Sequence, residues 1–142
     1  MANVKDKKRS LNRVEILIWA AYFAFVGAAL YLERAENPFN LSGPYGGVKL
    51  FLWVAYVCFV AYSIHCNTRA EFFSGLKNVA KLPWGRQAGV DLYLGFFLTG
   101  FIVYLNEGYW FATLLWIIPG LFYVNLITLL YFIIHFDALV AR

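Results

Sequence analysis

The chain has 142 residues, 62% hydrophobic and 14% charged, with a formal net charge of +4. Soluble domains run at about 45–50% apolar and about 25% charged, so this composition excludes a disordered chain and points away from a water-soluble globule. It reads as one integral membrane domain. Its two cysteines, Cys58 and Cys66, lie about 12 Å of helix rise apart in one apolar segment, which excludes a disulfide framework.

The pattern predicts an all-α fold of four transmembrane helices, taken here in chain order. Residues 1–13 are basic and lead into an apolar run over 14–32 whose only charge is Glu15. That start resembles a signal peptide, but the run is long enough to span, so we expect an uncleaved anchor. Asn37-Pro38 and the run from Gly43 to Gly47 mark a turn-rich loop. The second span is predicted over 48–64, with Lys49 snorkelling at its entrance. Thr68 and Glu71 then fit a capping box. Beyond them Phe72, Phe73, Leu76, Val79 and Ala80 fall on one helical face, with Arg69, Lys77, Asn78 and Lys81 off it. This predicts a short amphipathic helix over 68–82 lying on the membrane surface, or capping the bundle, with Pro83 ending it. The third span is predicted over 90–105. A tight turn at Asn106, Glu107 and Gly108 makes it antiparallel to a fourth span over 110–134. That last stretch would be about 37 Å long if straight, so it should tilt, or bend at Pro119.

Ten of the 12 Lys and Arg fall in the N-terminal tail, in the loop between spans two and three, or at Arg142; Arg34 and Lys49 are the other two. The positive-inside rule then places both termini in the cytosol. Tyr31, Tyr45, Trp53, Tyr104, Tyr109 and Trp110 form an aromatic belt at the outer interface. Topology accounts for the basicity, so no nucleic-acid partner is invoked.

Polar side chains within apolar segments need a reason, and here they are expected toward the cytosolic ends. Span two ends at His65 and Cys66. Span three opens with Arg86 and Asp91, and Asp91, Gly95 and Thr99 share a stripe. Span four carries Asn125, Thr128 and His135 on one face. If these stripes point inward, Asp91, Asn125, His135, His65, Arg86 and Thr128 line a polar pocket open to the cytosol, with Asn125 touching Asp91 and His135 at the mouth. Each residue also has a plain role. Asp91 suits the first turn of a helix, the histidines and Arg86 suit the headgroup zone, and Asn125 suits an interhelical hydrogen bond. His65 and His135 are also the ligand types of a bis-histidine haem. With Cys66, Asp91 and Asp137 they are the types of a metal site. Neither reading has supporting spacing, so no metal is assigned and the cofactor is left open.

Asp91-Leu92-Tyr93, Glu107 before Trp110, Leu115-Trp116-Ile117-Ile118, Thr128 and Tyr131 together resemble the C-terminal half of short four-helix membrane proteins classed as domains of unknown function. The resemblance covers roughly residues 86–136. It implies a four-span fold with Asp91 opening span three, and it carries no activity or catalytic residue. The function expected is that of a binding or accessory protein, its pocket taking a small ligand or membrane lipid, or its aromatic faces docking a membrane-protein partner or a second copy. The alternatives are a membrane enzyme with histidine acid–base chemistry oriented by Asp91, and a small oligomeric transporter.

Overall fold

The computed structural model describes residues 10–142. The tail charges Lys5, Lys7, Lys8 and Arg9 lie outside the described residues. The described chain is all helical. Its helices are α1 (Arg13–Leu32), α2 (Gly46–Arg69), α3 (Phe72–Ala80), α4 (Pro83–Glu107), α5 (Trp110–Tyr123), α6 (Asn125–Ile134) and α7 (Phe136–Val140), with a single 3₁₀ turn at Arg34–Glu36.

Three helices, α1, α2 and α4, are long and apolar enough to cross a membrane, at 20, 24 and 25 residues. They overrun the predicted spans for local reasons. Thr68 is not a cap; it lies in the last turn of α2, where its Oγ1 donates to the His65 carbonyl. The cap of α3 is Glu71, so the amphipathic helix covers 72–80 rather than 68–82. Pro83 ends that pattern and also opens α4 from its first turn, where its missing N–H costs nothing.

The main departure from expectation is in residues 110–134, which are not one helix. Helix α5 runs straight through Pro119 to Tyr123, and the chain reverses at Val124, whose φ is 33°. Positive φ is rare for a β-branched residue. Helix α6 then returns antiparallel to α5, so that Trp116 lies edge-on to Tyr131, ring centroids 4.9 Å apart. At 14 and 10 residues, about 21 Å and 15 Å, neither helix alone spans the roughly 30 Å of a hydrocarbon core. Together they form a helical hairpin.

Packing explains the reversal. Helix α6 is apolar apart from Asn125, Thr128 and the Tyr131 hydroxyl, and Leu126, Ile127, Leu130, Tyr131, Ile133 and Ile134 are buried, the mark of a helix enclosed by protein. It lies against α2, α4 and α5. The antiparallel contact of α4 with α5 is close at two glycines: a Cβ on Gly100 would stand 2.5 Å from Ile117 Cδ1, and one on Gly120 2.5 Å from the Phe96 ring. Gly95, on the stripe with Asp91 and Thr99, instead faces open space. Gly108, at φ 76°, closes the turn between α4 and α5.

The bundle has two distinct ends. One carries the start of α1, helix α3 and the hairpin tip, where Tyr123 Oη donates to the Ile18 carbonyl and Phe72 touches Phe122. The other carries residues 33–45, Gly108 and the C-terminal segment. Arg142 reaches the Leu105 and Asn106 carbonyls there, at 2.9 and 3.2 Å. The fold-back therefore leaves Arg142 and the start of α1 at opposite ends, where a fourth crossing would have put them together.

Candidate functional site

The residues predicted to line one pocket are divided between the two ends. Asp91, Arg86, His65 and Asn125 are all exposed. Among the described residues no hydrogen bond joins Asp91 to Asn125. Asn125 opens α6 at the hairpin tip, so the polar residue that suggested interhelical glue marks a turn instead. Thr99 spends its hydroxyl on the Gly95 carbonyl, 3.0 Å away. Thr128 faces inward, onto a cavity of about 10 Å³ between α4, α5 and α6, and its buried Oγ1 has no hydrogen-bond partner among the described residues. His135 is buried at the far end, only 4% exposed. The two histidines are thus at opposite ends of the bundle, which separates the proposed haem ligands. Among the described residues no group of three or more His, Cys, Asp and Glu gathers as a metal site.

What the fold brings together is a different cluster, where the C-terminus of α4 meets that of α6. Asn106 Nδ2 donates to Tyr131 Oη at 2.8 Å, and Tyr131 Oη donates to Glu107 Oε1, also at 2.8 Å. His135 Nε2 lies 3.6 Å from the same carboxylate oxygen. That is within ion-pair range but too long for a hydrogen bond, and Nε2 has no hydrogen-bond partner among the described residues. The imidazole is packed 4.3 Å from the Tyr131 ring, and the Trp116 edge closes on it at 5.8 Å. A carboxylate held by a phenol thus faces a buried imidazole nitrogen across a gap narrower than a second water shell.

The C-terminal segment covers this cluster and is held at two points. Arg142 places a cation on the last carbonyls of α4, where the helix dipole favours one. Lys49 does not snorkel. It is 1% exposed, and its Nζ donates to Asp137 Oδ2 at 2.8 Å and to the Asn37 carbonyl at 3.0 Å. Lys49 therefore ties α7 and the 33–45 loop to α2. The sequence reading missed Glu107, Asn106, Tyr131 and Lys49 as site residues. One signal was present: Tyr131 and His135 stand four apart on one helical face, in a chain with few other interior polar groups.

Comparison with family models, with curated proteins and with solved structures gave no match, so the resemblance of residues 86–136 rests on its own residues.

Proposed function

We propose that this is an integral membrane binding or accessory protein, with three crossings and a re-entrant hairpin, working through the Glu107–Tyr131–His135 cluster. The observation that carries this reading is the buried, unpartnered His135 Nε2 facing Glu107 Oε1 at 3.6 Å. Buried polar atoms are ordinarily bonded, so the pair calls for a proton on Nε2, which makes it an ion pair, or for a hydrogen-bonding group that reaches both atoms from one side. The chemistry is that of a small donor, a hydroxyl or ammonium. Native mass spectrometry and a UV–visible spectrum of protein purified in mild detergent test this. A small species retained by wild type and lost from Glu107→Gln and His135→Ala supports it; identical spectra for all three overturn it.

In this reading the start of α1 and helix α3 face the cytosol, because Arg13, Arg69, Lys77, Lys81 and Arg86 gather at that end. The cluster and Arg142 then face outside, in place of the cytosolic pocket and cytosolic C-terminus expected from four crossings. A second reading, acid–base catalysis by His135, is favoured by the same 3.6 Å approach, with Glu107 in the orienting role first assigned to Asp91.

A further inference from the structure

Helix α3 leaves most of its apolar face uncovered. Phe72 and Phe73 touch Phe122 of the hairpin tip at ring-centroid distances of 5.5 and 6.5 Å. Even so, Phe72, Phe73, Leu76 and Val79 are 43%, 45%, 56% and 50% exposed, and Trp84 at the start of α4 is 82% exposed. Lys77 and Lys81 flank this face on the helical wheel, and both are exposed, as is Arg86 one turn into α4. Lys81 is paired with neutral Asn78, 3.2 Å away, rather than with an acid. The α3–α4 corner itself is fixed. Gly85 lies so close to the Val79 carbonyl that a Cβ there would come within 2.1 Å of it, which holds α3 at a set angle to the spanning helix.

We infer that the α3–α4 corner is a binding surface for anionic phospholipid, the exposed Phe72, Phe73, Leu76, Val79 and Trp84 seated among acyl chains and Lys77, Lys81 and Arg86 on headgroup phosphates. Two features select this occupant over another protein. The apolar side chains lie at the level of the hairpin tip, continuous with the uncovered apolar surface of α4, where Val90, Leu94 and Phe97 are also exposed. The exposed cations border that surface, the arrangement of a surface-seated helix that anionic headgroups attract. The cluster at the opposite end plays no part. The inference rests on the membrane reading alone.

The test uses the full chain in vesicles of phosphatidylcholine and phosphatidylserine, with spin-labelled forms of each lipid as probes of the lipid held at the protein surface. Wild type should hold phosphatidylserine over phosphatidylcholine several-fold, and the preference should fall as salt rises. Lys77→Gln with Lys81→Gln should remove most of that several-fold preference and bring the two lipids close to parity, in a variant that alters only exposed side chains. Arg34→Gln, at the other end, should leave it intact. No preference in wild type, or an equal loss from Arg34→Gln, overturns the inference. Release of the protein by alkaline carbonate would instead overturn the membrane reading, so the two failures are distinguishable.

Discussion

Lys49 and Asp137 make an unequal pair: the ammonium is 1% exposed and the carboxylate side chain 51%. Removing the carboxylate strands a buried cation, whereas removing the cation strands a group that water already reaches. Asp137→Ala should therefore cost about 2–3 kcal/mol, and Lys49→Met, which keeps the volume and drops the charge, about 1 kcal/mol or less. Thermal unfolding in one detergent should rank wild type, Lys49→Met and Asp137→Ala in that order; equal losses would mean that the buried charge is not what matters. The two close glycines are unequal in the same way. An Ala at Gly120 meets the rigid Phe96 ring, whereas one at Gly100 meets the free end of Ile117. Gly120→Ala should lose about 1–3 kcal/mol and Gly100→Ala clearly less, read from the same unfolding curves.

At the scale of elements, the hairpin explains where the sequence was legible and where it was not. Helices α1, α2 and α4 announce themselves because each is a long apolar run bounded by charge or turn residues. Residues 110–134 form such a run too, and hydropathy does not register a reversal inside it. Pro119, the obvious suspect, sits within an intact helix, while the break falls at Val124, a residue with no turn chemistry. Asn125 was the readable mark, since a lone amide in an apolar run accompanies either a partner or an end. The site was lost with the hairpin. Once α6 is taken to continue away from α4, Tyr131 and His135 move far from Asn106 and Glu107, and the nearest carboxylate becomes Asp91. Because Asn125 is exposed at the tip, Asn125→Leu should change stability by less than about 0.5 kcal/mol, as exposed substitutions do. A loss of 1–2 kcal/mol would restore the interhelical role.

For the whole molecule, the sharpest consequence of the proposed arrangement is an odd number of crossings. Single cysteines introduced at Ser42 and after Arg142, in a chain with Cys58 and Cys66 replaced, should be labelled from the same side of sealed vesicles by an impermeant thiol reagent. A cysteine at Ser74 of α3 should be labelled from the other side. Labelling of the Arg142 and Ser74 positions from one side would reinstate a fourth crossing and dissolve the Glu107–His135 cluster with it.

Enclosure of α6 also imposes an order of assembly. An isolated ten-residue helix is too short to be held by the bilayer alone, and its walls are supplied by α2 and α4, which are synthesised before it. The polar tip at Asn125 must pass between those walls before Tyr131 and His135 can reach Glu107. In the proposed membrane arrangement the hairpin is thus a plug seated last, into a socket whose walls precede it in the chain. Substitutions that narrow it, Gly120→Ala among them, should act first on the yield of seated protein, leaving a chain inserted through α4 whose C-terminal segment is open to protease.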